Sequence, residues 1–442
     1  MENLLSSSPH DVAAWMRARG IVRAHLVFDR ASGRVVPSHE ALRPLAAWLD
    51  AEDRDFLDHE GIFLQVAPDH DSILGAFVHK TTRGQAAGGV RNWTYDTLED
   101  YLRDGLRLAV GMTRKNALAG LWWGGGKGVI ARDPRIDRDD RALREGLYRG
   151  FGDLMTALRG CYVTAEDVGT SVEDMGRVFE RTRFTTCIPP SRGGSGNPSV
   201  PTARGVIAGI EAALQHLDGG TIEGRRFAVQ GVGHVGLPVV EFLLERGAAS
   251  IVACDVDARL VESVRAQVDA RVSVSCVERG DTSIFDADVD VFVPCATGAI
   301  LNPDTIARLR ARVVCGAANN QLEDPARDDA ALHARGILHV PDFLTNRMGI
   351  VTCADEAAGY VVPDPNVERH LERDWEFSIH RTTLDVLKRA REEDRPTSAI
   401  ATERADELAE VAHPVFGHRG RMIVEGLVRA GWCETASPDA TL

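Results

Sequence analysis

The stretch Phe227-Ala228-Val229-Gln230-Gly231-Val232-Gly233-His234-Val235-Gly236 constrains the fold more than any other part of this 442-residue chain. A short apolar strand runs into three glycines at G-x-G-x-x-G spacing. A helical pattern from Val235 to Arg246 follows at once. The first glycine permits a tight turn, the second lets the backbone approach a pyrophosphate, and the third lets helix and strand pack closely. Free amides at the helix start then hold the phosphates. The spacing alone is a weak signal, but the strand–turn–helix context is the one the chemistry needs. Gly231, Gly233, His234, Val235 and Gly236 are therefore candidate cofactor-binding positions. Asp255 closes the next strand, 24 residues beyond Gly231. A carboxylate there accepts hydrogen bonds from both ribose hydroxyls and repels a 2′-phosphate, so NAD is expected rather than NADP.

The same alternation continues through Ser250–Cys254, Val272–Val274, Val289–Val293, Arg312–Val314 and Ile337–Val340, with helical segments between them. It predicts an α/β fold with a parallel sheet covered on both faces. Upstream, Leu26–Phe28 and Arg34–Val36 flank Ala31-Ser32-Gly33 as a hairpin. Ile62–Val66 and Ile73–Val78 read as strands joined by a polar turn. Leu98, Leu102, Leu106, Ala109 and Met112 recur at helical spacing, which predicts a helix ending near Lys115 and a glycine-rich loop after it. Residues 189–201 hold four prolines and three glycines, so neither a helix nor a central strand can run through them. They form either a flexible linker or a hinge lining a cleft between two domains. From Cys353 onward the pattern is helical.

A formal net charge of −14 argues against general nucleic-acid or anionic-membrane binding, since phosphate neutralisation needs clustered Lys and Arg. No run of about 18 apolar residues occurs, and no signal peptide is visible at the start. None of the eight cysteines forms a C-x-x-C pair. They read as reduced thiols of a cytoplasmic protein, and no metal site is expected.

Two lysines, Lys115 and Lys127, flank a glycine-rich region: Gly88-Gly89-Val90-Arg91, then Gly111 to Ala117, then Gly124-Gly125-Gly126-Lys127-Gly128. Glycines let a backbone crowd a small ligand. Two lysines in one confined site repel each other, so at least one pKa should fall. A lysine so altered acts as a general base near neutrality, while the other stays cationic and holds a carboxylate. Thr164 to Thr170 precedes a helix start marked by Ser171-x-x-Asp174. Glu166 and Asp167 either favour that helix dipole or, in the case of Asp167, move protons.

The segments GGVR, GMTRKNALAG, GGGKGVI, YVTAEDVGT, GNPSVPTARGV, AVQGVGHVG, VPCATGAILN, GAANNQL and ADEAAGY occur in this order over roughly 300 residues. In them the chain resembles the glutamate/leucine/phenylalanine/valine dehydrogenases, more closely the leucine and phenylalanine branch. The resemblance implies two domains around a cleft. The first is an α/β substrate and oligomerisation domain, residues 1–195, completed by C-terminal helices in 345–442. The second is a Rossmann NAD-binding domain, residues 196–344. It implies that Lys115 binds the substrate carboxylate, Lys127 is the catalytic lysine and Asp167 transfers protons. It places Gly89, Asn319 and Ile350 at the substrate, and Thr202, Ala296 and Asn319 at the cofactor. It implies NAD-dependent oxidative deamination of an L-amino acid to a 2-oxo acid and ammonia, the reverse reductive amination, and a homo-oligomer.

Glutamate-specific relatives carry a lysine immediately before the glycine pair, where this chain has Ala87. A glutamate side chain would be left unpaired there at a cost of several kcal/mol, so a branched-chain or aromatic substrate is expected. Trp122-Trp123 either line the pocket or, as preferred here, pack in the core. Asn346-Arg347-Met348-Gly349 replaces a small N-A-G-G stretch. Arg347 and Met348 either point outward or reshape the pocket, in which case Arg347 recognises a polar or acidic group. Two other readings stand beside the dehydrogenase: a non-catalytic NAD-binding homologue, and a homologue with altered chemistry such as imine reduction. Retention of Lys115, Lys127 and Asp167 together speaks against the former.

Overall fold

The glycine-rich and strand-rich segments of the first half form one sheet and the alternating second half forms another. The computed structural model describes residues 3–137, 140–359 and 361–434. The chain divides into two compact units. One comprises Met1–Asn197, Glu356–Tyr360 and Asp406–Leu442, and the other Pro198–Asp355 and Val361–Ala405.

Among the described residues the first unit holds eight strands: β1 (Arg23–Asp29), β2 (Arg34–Pro37), β3 (Gly61–Val66), β4 (Ile73–Lys80), β5 (Ala86–Ala87), β6 (Val90–Trp93), β7 (Gly124–Ala131) and β8 (Tyr162–Val163). Their order is β2-β1-β3-β4-β7-β5-β8, with β6 also paired to β7. β1 to β4 and β7 run antiparallel, whereas β5, β6 and β8 join in parallel. The Leu98–Leu118 helix lies on β4 and β7. Thr97 caps it by accepting from the Asp100 amide, and Glu99 and Asp100 favour its positive end. It runs one turn further than its apolar spacing predicts, because Thr113, Asn116 and Leu118 are buried against the sheet. The N-terminal segment is not an appendage. Leu4, Val12, Met16, Leu45 and Leu49 share a core with Leu64, Leu102 and Val129.

The triple glycine belongs to a strand, not to a loop. All eight residues of β7 are buried. A Cβ on Gly125 would lie 2.2 Å from the Thr113 nitrogen, and one on Gly124 would lie 2.0 Å from the Lys80 carbonyl oxygen. These glycines therefore let a helix and neighbouring strands close on β7, rather than leaving room for a ligand. Trp122 also departs from expectation, whereas Trp123 is half-buried. Trp122 is exposed and lies under the Arg83 guanidinium, 4.5 Å from its ring centre.

The second unit holds β9 (Arg226–Gln230), β10 (Ser250–Asp255), β11 (Val272–Cys276), β12 (Val291–Pro294), β13 (Val313–Cys315) and β14 (Leu338–Val340). All pairs are parallel and the order is β11-β10-β9-β12-β13-β14. The chain leaves β9 toward β10 on one side and returns to β12 on the other. Such a reversal opens a crevice at the carboxyl ends of the two central strands. Of the proline-rich 189–201 stretch, the part from Ser199 onward already belongs to the long Ser199–Asp218 helix.

Residues 345–355 and 361–405 group with this second unit, not with the first as expected from sequence. The Ile379–Glu393 helix packs along the Ser199–Asp218 helix. Arg347 fixes the approach to it. Its guanidinium is fully buried, and Nη2 donates to the Phe377 carbonyl at 2.6 Å and to Thr382 Oγ1 at 3.1 Å. Met348 is equally buried and meets Gly205. Arg347 thus does not point to solvent, and its Nη2 is taken up by these two acceptors. It is a structural cation that satisfies a carbonyl at the start of a helix. Arg347→Ala should lower the unfolding free energy of this unit by about 3 kcal/mol, from the cavity and the orphaned carbonyl. Urea denaturation followed by the fluorescence of Trp375, the only tryptophan in this unit, checks it.

Candidate active site

The register of β7 brings the first unit's charged groups together. Lys127 pairs with Phe77 of β4, and Val129 pairs with Arg91 of β6. Alternate residues of a strand share a face, and so do residues paired across strands. Lys127 and Arg91 therefore emerge on the same side of the sheet. Asp167 reaches them from the loop before the Val172–Phe179 helix. That loop is held by Thr170, whose Oγ1 accepts from the Asp167 amide at 2.8 Å and donates to the Asp167 carbonyl at 2.7 Å. Gly89 lets the loop come close, since a Cβ there would lie 2.4 Å from the Glu166 carbonyl oxygen. Ser171 and Asp174 form the capping box their spacing predicts.

Lys127 Nζ lies 2.9 Å from Asp167 Oδ2, and Arg91 Nε lies 3.5 Å from the same oxygen. The side chain of Lys127 is 4% exposed and that of Asp167 15%, so bulk water screens the pair weakly. The Leu98–Leu118 helix contributes Asp104 and Lys115, which are eleven residues apart and hence on one helical face. Arg91 Nη1 donates to both carboxylate oxygens of Asp104, at 2.9 and 3.0 Å, and Tyr95 Oη donates at 2.6 Å.

The titration behaviour follows from this crowding. Burial by itself would raise the Asp167 carboxyl, but Lys127, Arg91 and Lys115 outweigh it and hold the group down at about 2. Burial draws the Lys127 ammonium below the ordinary lysine range. Asp167 opposes that and Arg91 adds to it. A lysine pKa does fall, as the sequence suggests, but burial is the main cause and Arg91 is a contributing cation. Glu166 is pushed up to about 7 by burial and by the neighbouring Asp167 charge. Asn197 Nδ2 donates to its Oε1 at 3.3 Å.

The second unit carries the dinucleotide motif. Gly231 has φ +91°, which favours glycine. A Cβ on Gly236 would lie 1.9 Å from the Gly231 carbonyl oxygen, whereas one on Gly233 would meet nothing. The middle glycine therefore faces open space, as an approaching pyrophosphate needs. Val235 stands at the start of the Gly236–Glu245 helix, which no side chain caps. Exposed His234 precedes it. Asp255 ends β10. Its Oδ2 accepts from the Val232 amide at 2.9 Å and its Oδ1 from the Asp257 amide at 3.0 Å, which ties the carboxylate to the glycine turn. Ala296 lies against Gly231. The residues present thus fit a dinucleotide.

The remaining expected positions also lie in this unit. Thr202 opens the Ser199–Asp218 helix and donates to the Pro198 carbonyl at 2.9 Å. Asn319 Oδ1 accepts from Asn346 Nδ2 at 2.9 Å. Ile350 is buried in the Met348–Ala358 helix. Sequence reasoning assigned no role to Arg91, Asp104, Tyr95 or Asn197. For Arg91 a signal was present: it lies in the strand that follows the glycine pair.

Residues 72–184 match the Glu/Leu/Phe/Val dehydrogenase dimerisation domain, and residues 193–412 match the Glutamate/Leucine/Phenylalanine/Valine dehydrogenase family. The leucine dehydrogenase of Bacillus subtilis (strain 168) is 41% identical over 345 residues, 77% of this chain and 89% of the relative. The phenylalanine dehydrogenase of Lysinibacillus sphaericus is 39% identical over 315 residues, 71% of this chain and 78% of the relative. Among solved structures, the L-tryptophan dehydrogenase of Nostoc punctiforme superposes with a TM-score of 0.63 at 30% identity, covering 79% of this chain and 96% of that one.

The raised Glu166 group makes a stability prediction. The folded chain keeps its proton up to about 7, above the ordinary value of 4.5. Stability is therefore lost as pH rises between those values, because the folded state binds the extra proton. Glu166→Gln should melt at a higher temperature than the parent near pH ~8 and at the same temperature near pH ~4. Thermal denaturation at the two pH values checks it.

Proposed function

The chain belongs to the glutamate/leucine/phenylalanine/valine dehydrogenases, and from that premise we propose which of its residues carry out the reaction. It is an NAD-dependent enzyme that oxidatively deaminates a branched-chain or aromatic amino acid to the 2-oxo acid and ammonia, and runs the reverse reductive amination.

The observation that carries the assignment is the buried contact between Lys127 and Asp167, with Lys115 within electrostatic reach of the carboxylate. Lys115 holds the substrate carboxylate, which keeps the Cα oriented. The glycine turn, the uncapped helix start and Asp255 would hold NAD, which would supply the acceptor for a hydride from the substrate Cα. The substrate ammonium gives one proton to the ionised Asp167 carboxylate, so loss of the hydride leaves an iminium. Lys127, drawn toward neutrality by burial, takes a proton from water as that water adds to the imino carbon. Asp167 passes the proton it took from the substrate to the amine, and as ammonia leaves its carboxylate takes the proton of the new hydroxyl, so that the 2-oxo acid remains. The two groups act together. When Lys127 is neutral, one of the cations holding Asp167 ionised has gone, and the carboxylate becomes a better proton acceptor.

Gly89, Asn319 and Ile350 are proposed to border the substrate, and Thr202, Ala296 and Asn319 the nicotinamide end of the cofactor. Ala87 is fully buried in β5 beside the glycine pair, which supports an apolar substrate side chain. Arg347 is committed to Phe377 and Thr382, so it offers no charge to an acidic substrate. The match of residues 72–184 to a dimerisation domain supports a homo-oligomer, proposed to be a dimer or a larger even assembly. Among the described residues no helix is long and apolar enough to cross a membrane. No disulfide forms among the described cysteines, which favours a cytoplasmic setting.

NADH formation across a panel of amino acids tests the reading. Leucine, valine or phenylalanine should turn over and glutamate should not. Lys127→Ala should lower kcat about a thousandfold with an unchanged circular dichroism spectrum. Preference for glutamate, or activity retained in Lys127→Ala, would contradict the assignment.

A further inference from the structure

We infer that Arg91 is a positioning residue for this reaction: by bridging Asp167 and Asp104 it fixes the proton-transferring carboxylate and supplies that carboxylate's charge partner independently of Lys127. The inference rests on the roles given above to Lys127 and Asp167.

Arg91 is set on the reacting face by strand register, because its partner Val129 shares a face with Lys127. Its side chain is 18% exposed and its guanidinium faces two carboxylates. Nη1 grips Asp104, and Nε faces Asp167 Oδ2 at 3.5 Å. Tyr95 completes the Asp104 side. The result is a row of alternating charges: Lys127, Asp167, Arg91, Asp104. Lys115 from the helix and Glu166 from the loop flank it, as neighbours of Asp167.

The row has a consequence for proton release. Were Lys127 the only counter-ion, its deprotonation would leave Asp167 as a bare buried charge, which is strongly unfavourable. With Arg91 in place the carboxylate stays compensated, so the lysine can become neutral. The arginine charge also repels the ammonium form of Lys127, and Asp104 opposes that by partly neutralising the arginine. Lysine in place of Arg91 would keep the charge but could not hold two carboxylates in one planar fork.

The test is the pH profile of kcat/KM for oxidative deamination with whichever of L-leucine, L-valine and L-phenylalanine turns over fastest. The acidic limb reports Lys127 in the free enzyme together with the substrate amine, which is the same for every variant. Arg91→Gln should move the limb to higher pH by about one unit and lower kcat about tenfold or more. Asp104→Asn should move it the other way, to lower pH. Arg91→Lys should leave the limb near its original place while kcat falls. KM for NAD should not change in any of the three. A merely structural arginine would lower activity without shifting the limb, and would not produce shifts of opposite sign. An unmoved limb in Arg91→Gln, with Lys127→Ala inactive, overturns the role of Arg91 alone. Turnover persisting in Lys127→Ala overturns the reading of the site and this role with it. If Arg91→Gln does not fold, the direction of the Asp104→Asn shift decides.

Discussion

An ammonium and a carboxylate buried 2.9 Å apart, on Lys127 and Asp167, set the terms for the rest of the first unit. Neither ion is stable alone in such a place, because desolvation of a single charge outweighs what the surrounding dipoles return. The fold answers with further charges. Arg91 and Lys115 also favour the Asp167 charge, and Asp104 steadies Arg91. The five groups come from four pieces of chain, so the site exists only when β6, β7, the long helix and the loop after β8 have all docked.

That docking explains the glycines better than ligand access does. The strand bearing Lys127 is pressed by Thr113 of the helix and by the Lys80 carbonyl, and Gly89 is pressed by the Asp167 loop. Any side chain at these places would hold the charged groups apart. Tyr162 Oη donates to the Gly88 carbonyl at 2.6 Å, and the Val90 amide donates to the Ala165 carbonyl at 2.8 Å. The catalytic geometry is therefore a packing result, obtained by removing side chains where chain segments must approach.

The second unit obeys a simpler rule. Its strands alternate with helices, its sheet is wholly parallel, and its glycine turn sits where the strand order reverses. Local pattern suffices there, because each βα step is short and each glycine acts on atoms a few residues away. Asp255 illustrates this: its carboxylate caps the same turn that its position in sequence marks. Arg347 illustrates the opposite case. Beside a motif of small residues it reads as a change in specificity. Its partners, Phe377 and Thr382, lie some thirty residues ahead and carry no signal that links them to it.

The sequence by itself determined the α/β class, the dinucleotide turn, the strands of the parallel sheet, the first four strands of the other sheet and the three residues on which the chemistry is proposed to rest. These are written in short-range spacing, where periodicity and glycine placement act within one or two elements. Tertiary structure alone decided which groups share charge with those residues, why the triple glycine is a strand, where Trp122 lies, and that residues 361–405 group with the dinucleotide unit. Such outcomes depend on contacts between segments distant in the chain. A linear pattern shows what kind of element each segment forms, but not which side chain meets which once the elements pack.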